Sequence, residues 1–172
     1  MHRIARARKR PVAFSEGRPH TFRTMSELYF AYGSNMSRAR LEARVGGVRP
    51  RGRAALSNFE LSWNKPGRDG SGKANVRAQP GAVTFGVLYA LTENQWPALD
   101  GFEPGYARET RVVRDDAGSE ANAQLYRFRS DGPELPPTAQ YLDLVLRGAR
   151  ENGLPEEVFA LLARWKTGRI AP

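Results

Sequence analysis

Cysteine is absent from the 172-residue chain, which removes disulfides, thiolate zinc sites and every mechanism built on a cysteine nucleophile. A reducing compartment, the cytoplasm, is the expected home of such a chain. Histidine is nearly absent too: the only two, His2 and His20, precede any convincing core pattern. Serine-histidine-acid triads and multi-histidine metal sites therefore have almost no material, and acid/base chemistry falls to carboxylates, tyrosine, lysine or backbone groups. No apolar run approaches 18 residues, so the sequence holds no candidate spanning helix and reads as soluble, with no membrane partner.

The net charge of +9 is concentrated at one end. Residues 1–24 carry seven basic side chains against the single acid Glu16, a net of +6, which leaves only +3 for the other 148 residues. This start lacks the apolar stretch of a secretory signal. It reads as a basic disordered arm, a transit-like segment, or the product of a mis-assigned start with Met25 as the true first residue. A body near +3 is ordinary for solubility, and nucleic acid is not its expected partner. Residues 25–172 have the length of one domain.

Along the body, Leu28–Tyr32 is an aromatic and apolar strand that ends in Gly33-Ser34-Asn35. Ser34 or Asn35 is expected to cap a helix through about Arg44, with Met36, Ala39, Leu41 and Val45 inward. Ala54–Trp63 is a second strand with Phe59, Leu61 and Trp63 on one face. The run of turn formers from Lys65 to Gly72 follows; its DGSG stretch, residues 69–72, lacks the lysine and spacing of a phosphate loop and reads as a turn. Ala74–Ala78 and Val83–Leu91 read as two strands divided at Pro80-Gly81. Thr92 caps a short helix with Trp96 and Leu99 inward, before the irregular stretch Gly101-Phe102-Glu103-Pro104-Gly105. Tyr106–Arg114 and Ala121–Arg129 form a hairpin. Helices follow over Thr138–Asn152, with the stripe Tyr141, Val145 and Ala149, and from Pro155 onward, where Leu161, Leu162 and Trp165 form the buried side. Many short strands with helices between and after them predict an α+β domain built on a small, strongly bent sheet or barrel.

Two segments can carry chemistry. A glycine loop feeding a helix start exposes N–H groups that can cradle a carboxylate or an oxyanion, although Tyr32-Gly33-Ser34-Asn35 can equally be a strand-to-helix turn that needs glycine. Glu103, between Phe102 and Pro104, is either an exposed turn residue or a carboxylate whose pKa an apolar setting raises for proton transfer.

Taken together, Tyr29-Phe30-Ala31-Tyr32-Gly33-Ser34-Asn35-Met36, Phe85-Gly86-Val87-Leu88-Tyr89, Leu99-Asp100 ahead of Glu103, and Gln140-Tyr141 through Gly148-Ala149-Arg150-Glu151-Asn152-Gly153-Leu154-Pro155 resemble the gamma-glutamylcyclotransferase family. The match runs in order over about residues 28–160. The resemblance implies a compact barrel-like α+β fold and release of 5-oxoproline from a gamma-glutamyl amino acid or peptide, by attack of the substrate's own α-amine on its side-chain carbonyl. It implies Glu103 as the catalytic general base and acid. It further implies Tyr29, Phe30, Ala31, Tyr32, Gly33 and Ser34 as the substrate-binding loop, Tyr141 as a substrate contact, no cofactor or metal, and a possible homodimer. Pro104-Gly105 departs from the family pattern on the leaving-group side. N–H groups around Gly33, Ser34 and Asn35 are candidates for the oxyanion or for the substrate carboxylate. Ser34 as a covalent nucleophile lacks a histidine in the body to activate it. The rival readings are a gamma-glutamylamine or other AIG2-like cyclotransferase, and a non-catalytic binding protein whose arm binds nucleic acid.

Overall fold

The computed structural model describes residues 26–166; the basic arm with its two histidines, the start at Met25 and the last six residues lie outside them. Five strands close into a mixed barrel. They are β1 (Ser26–Ala31), β2 (Arg49–Pro66), β3 (Gly72–Thr92), β4 (Ala107–Asp115) and β5 (Glu120–Arg127), in the order β1-β3-β2-β4-β5. All pairs are antiparallel except β1 with β5, whose parallel pairing at Tyr29 and Gln124 closes the barrel. Four helices surround it: α1 (Arg38–Val45), α2 (Trp96–Phe102), α3 (Ala139–Glu151) and α4 (Glu156–Lys166). The expected α+β barrel class holds.

The strand from 74 to 91 is one element, not two. Residues 79–82 bulge out between the pairs Phe59–Ala78 and Ser57–Val83, and the partner strand absorbs the excursion by turning Asn58 to φ +63°. Its side chain accepts from Gly81 N at 3.0 Å, so Pro80-Gly81 interrupts pairing without ending the strand. β2 is likewise longer than the 54–63 stretch. Long paired strands must bend to close a barrel, and β3 packs tightly on its neighbour β1 at Gly86, where a Cβ would stand 2.4 Å from Ala31 O and 2.8 Å from the Phe30 ring.

The first helix also departs from expectation. A 3-10 turn over Ser34–Met36 intervenes, and the cap position falls on Ser37, with extended backbone, rather than on Ser34 or Asn35. In the helix Leu41 is buried and Val45 partly so, Ala39 is exposed, and Arg40 and Arg44, one turn apart, line the cavity. In α3 the predicted stripe is inside, with Val145 and Ala149 buried and Thr138 capping by accepting from Tyr141 N. In α4, Val158 and Leu162 face the core while Leu161, expected inside, sits at the surface with 36% exposure, one residue round the helix from the buried row.

Candidate active site

The turn after β1 is fixed from three sides. Met36 O accepts from Tyr89 Oη at 2.7 Å and from Asn152 Nδ2 at 3.0 Å, which ties the turn to β3 and to the end of α3. Helix α3 lies on it through Gly148, where a Cβ would meet Ser37 N at 2.6 Å and Met36 Cβ at 2.7 Å. Tyr32 Oη donates to Tyr126 O of β5. Ser34, Asn35 and Ser37 are consequently buried polar residues that need partners.

Asn35 finds them in the site. Its Nδ2 donates to Tyr29 Oη at 2.9 Å and to Glu103 Oε1 at 2.9 Å, while Oδ1 is buried without a partner among the described residues. Glu103 arrives from the far side of the barrel because α2 ends there: it is the helix C-cap, its N–H bonded to Asp100 O at 3.2 Å. Glu103 O in turn accepts from Tyr106 N at 3.2 Å across Pro104-Gly105, with Gly105 at φ +83°. Proline followed by a left-handed glycine is the type II turn pattern, and it holds the Glu103 carboxylate inward.

The Glu103 side chain is 14% exposed, which excludes the surface-turn reading. Arg44 Nη1 donates to the same Oε1 at 2.9 Å. One carboxylate oxygen is thus doubly held, and Oε2 accepts from none of the described residues. Burial pushes the Glu103 pKa above the ordinary carboxylate range, and the neighbouring Arg44 and the Asn35 hydrogen bond pull in the opposite direction. Burial raises the pKa values of Tyr29, Tyr106 and Tyr141 as well, so all three remain neutral phenols at physiological pH.

These groups face one cavity of about 310 Å³, within the usual range for small-molecule sites. Of the residues the sequence singled out, Tyr29, Tyr32, Gly33, Ser34, Tyr141 and Glu103 line it. Phe30 and Ala31 do not. They are buried in the core where β1 packs on β3 at Gly86. Tyr141 Oη accepts from Ala74 N at 3.3 Å, beside Gly33, and Tyr106 Oη donates to Ala74 O at 2.7 Å. The tip of the β2–β3 hairpin, which the sequence presents as a turn, supplies a further wall through Lys65, Gly67, Arg68 and Lys73. The sequence reading passed over Arg40, Arg44, Tyr106 and the Asn35 side chain; the i, i+4 spacing of the two arginines just after the glycine loop is the signal that could have found them.

The chain is 31% identical over 141 residues to the gamma-glutamylcyclotransferase of Bos taurus, covering 77% of this chain and 74% of that protein. The chain belongs to the gamma-glutamylcyclotransferase family. It is 31% identical over 159 residues to the Homo sapiens gamma-glutamylcyclotransferase, covering 85% and 84% of the two chains. A solved gamma-glutamyl cyclotransferase structure superposes with a TM-score of 0.75 at 28% identity, over 81% of this chain and 87% of that one. The AIG2-like family matches residues 83–162, from β3 into α4 and across Glu103. The chain is therefore an enzyme of the cyclotransferase class. Among its described residues no helix is long and apolar enough to cross a membrane.

Proposed function

We propose that this cyclotransferase takes a gamma-glutamyl amino acid or peptide and releases 5-oxoproline and the free amine of the leaving residue, with Glu103 as the proton carrier. The observation that carries this reading is the largely buried Glu103 carboxylate lining the cavity, with one oxygen held by Asn35 and Arg44 and the other without a hydrogen bond from the described residues. The substrate's α-ammonium loses a proton to this second oxygen. The freed amine attacks the γ-carbonyl carbon, a C–N bond forms, and the carbonyl electrons pass to oxygen. N–H groups around Gly33, Ser34 and Asn35 receive that oxyanion or hold the α-carboxylate, and a well-aimed donor to an oxyanion is worth roughly 3 to 4 kcal/mol. On collapse the old amide C–N bond breaks as Glu103 returns its proton to the departing nitrogen, and the second proton of the now cationic ring nitrogen passes by the same carboxylate to the released amine, leaving a neutral lactam and an ammonium. Folding the glutamyl chain into a near-attack geometry supplies much of the acceleration, because ring closure is intramolecular.

Tyr29, Tyr32, Gly33, Ser34 and Tyr141 bind the glutamyl group in this scheme, and neutral Tyr29 and Tyr141 hydroxyls can donate to it. A single domain over residues 25–172, a cytoplasmic home and a homodimeric state belong to the same reading and rest on composition and resemblance. The test is 5-oxoproline release from gamma-glutamyl dipeptides set beside gamma-glutamyl-ε-lysine. Turnover of the dipeptides supports the reading; turnover of only the ε-lysine substrate transfers the chain to the amine branch, and none from either overturns it.

A further inference from the structure

The cavity wall holds five cationic side chains, Arg40, Arg44, Lys65, Arg68 and Lys73, against one carboxylate, Glu103. Two of the five are already neutralised: Arg44 by Glu103 at 2.9 Å and Lys73 by Asp69 at 3.2 Å. Arg40 is engaged at the glutamyl-binding loop, where its Nε donates to Ser34 Oγ at 3.1 Å. Lys65 and Arg68 remain, with Lys65 Nζ donating to the backbone carbonyl of Pro66 at 2.9 Å. Neither pairs with a carboxylate among the described residues, and both belong to the β2–β3 hairpin tip.

Lys65 is aimed by its surroundings. Its Nζ lies 5.4 Å from the centre of the Tyr106 ring and 5.9 Å from that of Phe128, and a Cβ at position 105 would touch its Cε at 3.4 Å. The ammonium is therefore held beside the Glu103-Pro104-Gly105-Tyr106 turn, on the side where Glu103 meets the departing nitrogen. Arg68 is exposed at the mouth of the same wall.

Resting on the substrate reading above, we infer that Lys65 and Arg68 form a specificity subsite for the carboxylate of the leaving amino acid. A gamma-glutamyl amino acid carries two carboxylates, one on the glutamyl α-carbon and one on the leaving residue. The loop takes the first and the hairpin tip the second, so three uncompensated cations meet two anions in two places. A leaving group without a carboxylate leaves Lys65 and Arg68 facing an uncharged chain end, and a site built to pair a charged group discriminates strongly against its absence.

The experiment compares gamma-glutamyl-alanine with gamma-glutamyl-alaninamide, which differ only at that carboxylate. Wild-type enzyme is expected to favour the acid by about tenfold to a hundredfold in kcat/KM, mostly through KM, and the preference should shrink as ionic strength rises. In the double variant Lys65→Met, Arg68→Met the acid-to-amide ratio is expected to fall to about one. An equal ratio in wild type, or a double variant that lowers both substrates together with the ratio kept, overturns the subsite and leaves the proposed reaction standing. If neither compound yields 5-oxoproline, the proposed reaction fails for these substrates, and calorimetric binding to Glu103→Gln still decides the subsite. Tighter binding of acid than amide, lost with Lys65 and Arg68, supports it; equal binding, or none, overturns it.

Discussion

Arg44 Nη1 and Glu103 Oε1 stand 2.9 Å apart, joining helix α1 to the end of α2 across 59 residues of sequence. The pair couples the protonation of Glu103 to the Arg44 guanidinium, with Arg40 acting in the same direction. Glu103 is needed ionised to take the ammonium proton, so kcat/KM falls as pH drops through its pKa, which burial has raised and Arg44 partly lowered again. Replacing Arg44 by Gln removes the largest lowering influence and leaves those of Asn35 and Arg40, and the acid limb of the pH–rate profile is expected to move to higher pH while the alkaline plateau is less affected. A profile measured from pH 4 to 9 checks this; an acid limb that stays in place or moves down contradicts it.

Asn35→Asp keeps shape and replaces a donor by an acid. A carboxylate 2.9 Å from Glu103 Oε1 cannot share the space with an ionised Glu103, so one proton is retained by the pair and the base is blocked at neutral pH. Activity at pH 7 should fall by about tenfold or more and recover in part as pH rises, with an acid limb displaced further than in Arg44→Gln. Flat loss at every pH would instead point to a broken loop.

Gly148→Ala tests how the loop is held. The added Cβ meets backbone at Ser37 and the Cβ of Met36, neither the flexible end of a side chain, so α3 must move off the turn. Overpacking of this kind costs about 1 to 3 kcal/mol, and the melting temperature of a chain this size should fall by roughly 2 to 4 °C for each. Activity should fall with it, because the displaced turn carries Ser34 and Asn35. A variant as stable and as active as wild type would show that α3 does not set the loop.

Much of this was legible in the sequence because it depends on local pattern. The apolar stripe of α3, the hairpin turn at Asp115-Asp116-Ala117-Gly118 and the strand that ends at Gly33 are each determined within a dozen residues. Phe30 and Ala31 illustrate the limit: a contiguous loop motif does not say which of its members line the cavity, and these two are buried where β1 packs on β3 at Gly86. Arg40 and Arg44 lie beside the inward row of Leu41 and Val45, and helical periodicity alone does not say that a cavity shared with Glu103 stands on that side. Lys65 and Arg68 lie in a run of turn formers, where spacing carries no information about what the tip folds against.

Gly105→Ala probes the turn that holds Glu103. At φ +83° an alanine is strained by about 1 to 2 kcal/mol, while its Cβ makes only an ordinary contact with Lys65. The expected result is a stability loss in that range with a larger proportional loss of kcat/KM, since Glu103 sits two residues away. Thermal unfolding and steady-state rates on one preparation measure both, and a loss of stability with full activity would contradict the role given to the turn.

The most direct measurement is single-turnover and steady-state release of 5-oxoproline from gamma-glutamyl-alanine by wild type and by Glu103→Gln, which preserves shape and removes the proton acceptor. With the variant shown to be folded by its melting curve, the rate is expected to fall by about two or more orders of magnitude, the range of a lost general base. A folded Glu103→Gln that cyclises the dipeptide at a rate near wild type would mean that the proton travels by another group, and that Glu103 is not the base.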